Sequence, residues 1–327
     1  MRADLEDIGA HSLANKTWGS YKTAERLLAM CCKANGIKKE LPVAEETILV
    51  FIHWLATVRH LKAGTINGYL AGIRQLHISK GLPDPHIRAG AVNIILKGLH
   101  NKEARERLAN DSLVKKPVTE EVLLTLKEEL RRWEETPANR RLIWAVATNL
   151  FHGLFRIREL VSEREDTFDP AFTLLTDNIH ISTGANQEAI QFQLKAPKED
   201  KKHRSKIVDV YGTGGQTCPV NAFTKWKAAV NCWPPGQPAF RWQDGRPLTA
   251  KRFNAVLKDR LAGTVQGGDR AFTSHCFRIG AASRLGALGH SDEDLKAMGR
   301  WSSRAFEEYL LHPRTKRAAL AKHLPFD

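Results

Sequence analysis

The sequence has few of the features that mark secreted or zinc-binding chains. Its 327 residues include five cysteines, an odd number, and no two of them have Cys-x-x-Cys spacing. Neither a disulfide framework nor a zinc ribbon is therefore indicated. No apolar leader-like segment follows Met1, so secretion is not expected. These absences favour a reducing compartment inside the cell, because disulfides persist mainly in oxidising ones. The five cysteines are Cys31, Cys32, Cys218, Cys232 and Cys276.

Long hydrophobic runs are also missing. The longest mostly apolar stretch covers residues 142–155 and is interrupted by Asn149 and His152. A helix that crosses a bilayer needs about 20 predominantly apolar residues. We therefore expect no membrane association through a spanning helix.

Acidic residues are too few to balance the basic ones. The chain has 36 Asp and Glu against 50 Lys and Arg, which gives a net charge of +14. The excess is +6 in residues 1–110 and +8 in residues 111–327. A positive excess in both parts is typical of a protein whose two domains both contact a polyanion such as DNA or RNA. The plain alternative is a basic soluble protein with no nucleic-acid role.

Residues 1–100 predict an all-α domain of four short amphipathic helices. Apolar residues recur at helical spacing after Asn15, over 46–58, after a cap at Thr65, and over 86–99. Residues 101–117 are polar and are predicted to be a linker. Basic side chains in the helical domain are candidate phosphate contacts, although each would otherwise be an ordinary solvated charge. They are Lys62, Arg74, Arg88 and Lys97.

Residues 118–327 predict a second, mainly α-helical domain with a small antiparallel β-sheet. Thr119 is placed to cap a helix over 120–133, and a mostly apolar helix follows over 138–151. The pattern then changes to the alternation typical of strands over 172–181, 189–195 and 207–211. Helices return from Pro219 onward, and the last, basic helix is predicted over 314–322.

The strongest functional signal is a run of residues near the C-terminus. His275 and Arg278 are three positions apart on a predicted helix, so their side chains lie on one face. Gly-Arg-Trp-Ser-Ser follows at residues 299–303, and Tyr309 lies eight residues beyond Trp301. A lone His-x-x-Arg pair is more often a solvated helix face, and a lone tryptophan is more often part of a core.

An arginine in an apolar setting adds to this signal. Arg156 lies in the segment GLFRIREL, and a buried guanidinium needs either a partner or an anionic ligand. Glu159, three residues later, could pair with it without any ligand. Arg158 leaves the choice of arginine slightly ambiguous.

Together these residue types suit the chemistry of a phosphodiester. Two arginines can hold the phosphate oxygens with charged hydrogen bonds. A tyrosine has a pKa near 10 and becomes a good nucleophile once its proton is removed and its phenolate is stabilised. Arg278 and His275 could supply these two effects. Lys198, at a predicted hairpin tip, could protonate the departing 5′-oxygen, and Trp301 could donate one more hydrogen bond.

The sequence resembles the tyrosine recombinases of the phage-integrase-type superfamily, and among them those of eukaryotic crypton, Ngaro and DIRS-type mobile elements. The similar segments are GLFRIREL, LKAPKEDK, SHCFRIGAASRLG and GRWSSRAFEEYL, in that order over about 155 residues. TINGYLAGIRQLH resembles part of the family's core-binding domain, a SAM-like four-helix domain. For the lysine, Lys195, Lys201 and Lys202 are close alternatives to Lys198.

The resemblance implies a site-specific recombinase that integrates or excises a mobile element. Its catalytic residues would be Arg156, Lys198, His275, Arg278 and Trp301, with Tyr309 as the nucleophile that forms a 3′-phosphotyrosyl link. Many relatives have histidine where this chain has tryptophan, and tryptophan is an accepted alternative. Neither metal, ATP nor another cofactor would be required.

The same resemblance implies partners and a location. Both domains would surround double-stranded DNA, and a homotetramer would hold two duplexes in the nucleus, with no membrane involved. Lys62, Arg74 and Arg300 are the predicted DNA contacts. Two alternatives stay open: a domesticated DNA-binding protein without catalysis, and a type IB topoisomerase, which shares the Arg-Lys-Arg-His-Tyr chemistry.

Overall fold

A computed structural model describes residues 15–85, 90–109, 116–183, 187–195, 205–230, 233–264 and 272–310. The chain separates into two compact units, Met1–Leu113 and Val114–Asp327. Each unit has its own hydrophobic core. The predicted combination of an all-α unit with a mainly α unit that carries a small antiparallel sheet is confirmed.

The first unit contains four α-helices among its described residues. Their apolar faces meet in a core that includes Leu28, Phe51 and Ile73, each fully buried. Apolar side chains at helical spacing, rather than intrinsic propensity, hold such short helices together. The four are α1 (Asn15–Ala34), α2 (Glu45–Thr57), α3 (Ala63–Ser79) and α4 (Gly90–Ala109).

Two details of this unit differ from the sequence prediction. Helix α3 begins at Ala63 rather than after a Thr65 cap, because the Ala63 N–H donates to the carboxylate of Glu103. That contact comes from the second half of α4, which continues to Ala109 through the first part of the predicted linker. The charged side chains of 101–106 lie mostly on the exposed surface of this helix, which is why the segment has no clear apolar stripe.

The second unit contains seven helices and one sheet among its described residues. In the described parts of the chain, no helix is long and apolar enough to cross a membrane. The helices are α5 (Glu120–Arg132), α6 (Pro137–His152), α7 (Ile157–Leu160), α8 (Pro219–Ala229), α9 (Ala250–Leu261), α10 (Ser274–Ala287) and α11 (Asp292–Gly299), with short 3-10 turns at Thr176–Asn178 and Arg304–Tyr309.

The sheet has three antiparallel strands in sequence order. Strand β1 (Ile179–Thr183) pairs with β2 (Glu188–Leu194), which pairs with β3 (Lys206–Tyr211). The first strand begins later than predicted, because residues 176–178 form a 3-10 turn in which the Asn178 side chain accepts the Leu175 N–H. The loop that joins β2 and β3, which contains Lys198, lies mostly outside the described residues.

Helix α6 organises the second unit. Ten of its sixteen residues are buried, and it packs against both α8 and α10. Thr136 caps its first turn by accepting the Asn139 N–H, and Pro137 occupies the first helical position, where a missing N–H costs nothing. Residues 153–156, which follow this helix directly, lie against α10.

Helix α10 approaches the start of the unit closely enough to require a glycine. The Val118 N–H donates to the Cys276 carbonyl across a distance of 3.0 Å. One turn later, a Cβ atom at Gly280 would lie 1.8 Å from the Val118 carbonyl oxygen. The segment entering α5 therefore lies directly on the glycine face of α10.

We expect Gly280→Ala to lower the free energy of unfolding by about 1–3 kcal/mol, the usual cost of overpacking. Gly215→Ala is the matched control, because a Cβ there meets no atom within 4 Å. Urea unfolding of the two variants provides the measurement. Equal midpoints for both variants would contradict this close approach.

His152, the last residue of α6, should make stability depend on pH. Burial lowers the pKa of its imidazole, and its Nε2 atom has no hydrogen-bond partner among the described residues. The folded state thus binds its proton less readily than the unfolded chain. The associated loss of stability begins as the pH falls below the unfolded pKa of about 6.5, at no more than about 1.4 kcal/mol per pH unit.

We expect His152→Gln to flatten the fall in unfolding free energy between about pH 6.5 and pH 5. His290→Gln, at an exposed position, serves as the control. Denaturant titrations across this range measure the effect. The same slope in wild type and His152→Gln would show that this imidazole does not titrate with folding.

Candidate active site

Helix α10 holds two of the predicted catalytic residues on its first turns. Its beginning is fixed by the Ser274 N–H, which donates to Asn254 Oδ1 at 2.7 Å. His275 lies in the first turn and is exposed, whereas Arg278, three residues later, is only 1% exposed. One helix therefore presents an accessible imidazole above a buried guanidinium.

Arg278 is held by backbone carbonyl groups. Its guanidinium donates to the Leu154 and Gly299 carbonyl oxygens. Its Cζ atom lies 4.3 Å from the centre of the Trp301 ring, close enough for a cation–π contact. The side chain thereby joins three segments that are far apart in the sequence.

Burial makes this cation costly. Loss of water lowers the pKa of Arg278 to about 10, and the nearby charges of Arg156 and Arg300 act in the same direction. Glu159 and Tyr309 oppose the shift. The group keeps its charge at neutral pH, but its surroundings favour the arrival of an anion.

The Leu154 carbonyl is placed by an unusual backbone conformation. Leu154 has a φ of 46°, in the left-handed region that side chains other than glycine rarely adopt. Its carbonyl oxygen accepts hydrogen bonds from both Arg278 and Arg300. These bonds and the burial of the leucine side chain hold a conformation that would otherwise cost about 1–3 kcal/mol.

Arg156 pairs with Glu159, as the spacing predicted, yet remains accessible. Its backbone N–H donates to Glu159 Oε2 at 2.8 Å, and its Nη1 lies 3.3 Å from Glu159 Oε1. The arginine side chain is 28% exposed and the glutamate side chain 8% exposed. The pair positions the guanidinium at the surface of the cluster, where it can also meet an anion.

Arg300 lies beneath this cluster instead of on the outer surface. Its side chain is 6% exposed and donates to the Gly153 carbonyl, the Leu154 carbonyl and Glu159 Oε2, the last at 2.9 Å. It also lies 4.9 Å from the centre of the Phe155 ring. The side chain is buried, and its donors hold Glu159 and the 153–154 backbone, while the contact of Arg300 with DNA stays a prediction.

Tyr309 reaches the same place from the last described turn. Its ring centre lies 5.0 Å from that of His275 and 5.2 Å from that of Trp301. The Arg278 Cζ atom is 5.8 Å from the tyrosine ring centre. Ser283 on α10 donates its hydroxyl to the Tyr309 carbonyl at 2.8 Å, which ties the tyrosine backbone to the helix that carries His275.

Trp301 closes the cluster from one side. Its ring fills the space that a side chain at Gly299 would need, since a Cβ there would lie 1.7 Å from the indole. Within the described part of the chain, neither the indole N–H of Trp301 nor the Nε–H of Arg278 has a hydrogen-bond partner, although both atoms are buried. Buried donors are normally paired, so these two suit an acceptor that arrives from outside, such as a phosphate oxygen.

Five of the six predicted catalytic residues thus lie together in one unit of one chain. The sixth, Lys198, lies outside the described residues, as do Lys201 and Lys202. Lys195 is described, and its ammonium donates to the Pro170 carbonyl. Of the predicted DNA contacts in the first unit, Lys62 is exposed and Arg74 is paired with Asp84 at 2.7 Å.

Sequence reasoning missed the supporting contacts. The Glu159–Arg300 pair joins residues 141 positions apart, and neither residue type alone indicates its partner. Ser283 was not singled out, because a serine in a helix carries no distinctive signal. The glycine at 299 was part of a recognised segment, but its close contact with the indole follows only from the fold.

Comparisons with known proteins identify the fold. No family model and no curated protein matches the sequence. Solved structures do match over nearly the whole chain. The Tn1549 transposon integrase in complex with transposon right-end DNA has a TM-score of 0.62 and 14% identity over 96% of this chain and 95% of its own.

Two further structures agree with it. The XerH site-specific recombinase, bound to a palindromic difH substrate after cleavage, has a TM-score of 0.62 and 16% identity over 93% of this chain and 79% of its own. A lambda integrase dimer bound to a COC′ core site has a TM-score of 0.53 and 14% identity over 93% and 74%. The protein therefore has the fold of the tyrosine recombinases and integrases.

Proposed function

We propose that the protein is a site-specific DNA recombinase that cuts and rejoins strands through a covalent tyrosine link. The observation that carries this proposal is the position of the Tyr309 ring, 5.0 Å from the His275 ring and 5.8 Å from the Arg278 guanidinium. A phenol beside an imidazole and a buried cation has both a proton acceptor and a charge that favours phenolate. The fold, shared with DNA-bound recombinases, supports the same reading.

The first chemical step follows from this arrangement. The Tyr309 oxygen attacks the scissile phosphorus, and the bond to the 5′-oxygen of the next nucleotide breaks. The phenol proton passes to His275, and Lys198 is the proposed donor of the proton that the departing 5′-oxygen needs. A 3′-phosphotyrosyl ester and a free 5′-hydroxyl result.

The charge that develops on the phosphate is met by groups already in place. Arg156 and Arg278 offer guanidinium donors, and the Trp301 indole N–H offers one more. Such donors stabilise a transition state best when they need no reorganisation, and the backbone bonds of Arg278 and the Glu159 pair of Arg156 provide that rigidity.

The second step reverses the first with a different strand. The 5′-hydroxyl of a partner strand attacks the phosphotyrosyl ester and releases Tyr309. One phosphodiester is exchanged for another, so no ATP is needed to conserve bond energy. Two such rounds on paired sites give recombined DNA.

We also propose a biological setting for this reaction. Neighbours in complex with transposon-end DNA and with recombination sites, together with the similarity to crypton, Ngaro and DIRS-type segments, support integration or excision of a mobile element. The assembly would be a homotetramer on two DNA duplexes, and the element's host would place it in the nucleus. A positive excess in both parts of the chain suits DNA as the partner.

Tyr309→Phe should abolish covalent capture of DNA, because the nucleophilic oxygen is removed while the ring remains. The substrate is a duplex nicked close to the cleavage point, so that the short 5′-product leaves and the adduct accumulates. Denaturing gels measure the adduct. An adduct of undiminished yield in Tyr309→Phe would assign the chemistry to another residue.

Recombinant product from two labelled duplexes then separates recombination from topoisomerase activity. Relaxation of supercoiled DNA without joined product would favour the type IB topoisomerase reading. Binding of DNA without any adduct in the wild type would favour the domesticated DNA-binding protein.

Arg156→Ala and Arg278→Ala should each reduce adduct formation by at least about 100-fold, since each removes contacts that strengthen in the transition state. DNA binding should stay within about tenfold, because one of many phosphate contacts is lost. Gel-shift titrations and single-turnover cleavage measure the two effects, and thermal melting verifies that the variants fold.

Arg158→Ala is the matched control for both variants. Its side chain is exposed and paired with Glu163 at 2.7 Å, a kind of surface pair that contributes little. Cleavage should therefore stay within about twofold of wild type. An equal loss in Arg158→Ala and Arg156→Ala would mean that the wrong arginine has been placed in the site.

A further inference from the structure

The second unit has a concave surface that lies apart from the tyrosine cluster, which consists of Arg156, His275, Arg278, Trp301 and Tyr309. It is a pocket of ≈ 470 Å³ where α5, α6, α8 and the turn before α8 meet. This volume is within the range of sites that hold a small ligand or a few side chains of a partner. Its basic lining residues are Lys127, Arg131, Arg140, Arg141 and Lys225.

The charges around this basic pocket are poorly balanced. Among the described residues that line it, none carries a carboxylate, and Arg131 pairs with Glu128 on its own helix. Burial lowers the pKa of Lys127, and the nearby charges of Arg131 and Lys225 lower it further, against the opposing effect of Glu128. An anion in the pocket would relieve this repulsion.

The backbone adds to the same positive field. The first turns of both α6 and α8 line the pocket, and helix N-termini favour negative charge. The thiol of Cys218 lies in the wall of the pocket and is affected by the same backbone N–H groups. Burial alone would raise its pKa, but hydrogen bonds from backbone N–H groups, including those of Asn221 and Thr213, outweigh burial and lower it.

The lining is not only charged. Leu130, Ala222 and Trp144 give it an apolar surface, and the Lys127 ammonium lies 5.6 Å from the centre of the Trp144 ring. A bare phosphate would leave this surface uncovered. The fitting ligand therefore carries negative charge around an apolar group.

The basic pocket is too far from the tyrosine cluster to serve the cleaved phosphate. Arg141 lines the pocket, and His152 ends the same helix just before the segment that meets Arg278. Eleven residues of α-helix separate them, which is about 16 Å along the axis. The two anion-directed surfaces therefore lie at opposite ends of α6.

We propose that the basic pocket binds an acidic peptide segment of a partner protein, in which carboxylates flank an aliphatic or aromatic side chain. The apolar group would pack on Trp144 and Leu130, and the carboxylates would pair with the surrounding cations. The backbone of duplex DNA is a poorer fit, because its phosphates lie on a convex surface and bring no apolar group into a concavity. The C-terminal segment of a second copy has the wrong sign, since residues 311–327 contain four Lys or Arg and one Asp.

The test uses the full chain and a fluorescein-labelled peptide, Glu-Asp-Glu-Leu-Trp-Glu-Asp-Glu, followed by fluorescence anisotropy. The expected result is saturable one-to-one binding. The double variant Arg141→Glu/Lys225→Glu should weaken it by about tenfold or more, because two attractive charges become repulsive. The matched control is Lys251→Glu, an exposed charge reversal on α9 outside the pocket, which should change the affinity less than about twofold.

A second peptide with glycine in place of leucine and tryptophan separates the pocket from general attraction to a basic protein. Its affinity should be lower by about tenfold or more, since burial of an apolar side chain favours binding. Equal affinity of the two peptides, or equal loss in the Lys251→Glu control, overturns the proposal. A further outcome would also overturn the proposal: the acidic peptide does not bind, while a labelled 20-base-pair duplex binds the double variant more weakly than the wild type. The pocket would then be a DNA contact.

Discussion

The second unit depends on one buried guanidinium and the two carbonyl groups that accept its hydrogen bonds. Arg278 reaches the end of α6 at Leu154 and the end of α11 at Gly299, so a single side chain ties α10 to both neighbours. Its buried Nε–H has no hydrogen-bond partner among the described residues. Stability and chemical readiness therefore come from one set of contacts. Removing that side chain would take this donor from the Gly299 carbonyl and would leave the Leu154 carbonyl with its bond from Arg300.

Two further arginines with different roles lie beside Arg278. Arg156 is partly exposed and can meet a ligand, whereas Arg300 lies beneath it and holds Glu159, the carboxylate that positions Arg156. One glutamate thus balances two guanidinium groups while Arg278 has no carboxylate of its own among the described residues. The cluster has a surplus of positive charge in a place with little water. Such an arrangement is more favourable with a bound anion than without one, which is the property that the proposed phosphoryl transfer would use.

The two anion-directed surfaces of the unit differ in a way that predicts different ligands. In the tyrosine cluster, the donors lie around one small volume and the Tyr309 ring lies beside them. In the basic pocket, the cations surround an apolar floor, and the thiol in the wall, that of Cys218, accepts backbone hydrogen bonds. Helix α6 separates the two while belonging to both. A partner bound at one end would therefore act on the other through the packing of this helix, in which ten of sixteen residues are buried.

The sequence by itself determined the local features of this protein. Apolar spacing specified most helices, alternation specified the strands, and Thr119 marked a helix start that the structure confirms. The spacing of His275 and Arg278 was enough to place them on one face, because the geometry of a helix is set by hydrogen bonds between near neighbours. Local patterns did not predict contacts with distant residues. The Glu103 carboxylate accepts the Ala63 N–H at the start of α3, and the Glu159 carboxylate accepts a hydrogen bond from the buried Arg300 side chain. Only the tertiary structure decided that Leu154, Arg278 and Gly299 meet, because contacts across 124 and 21 positions of the chain depend on how the helices pack, and no periodicity in the chain encodes that choice.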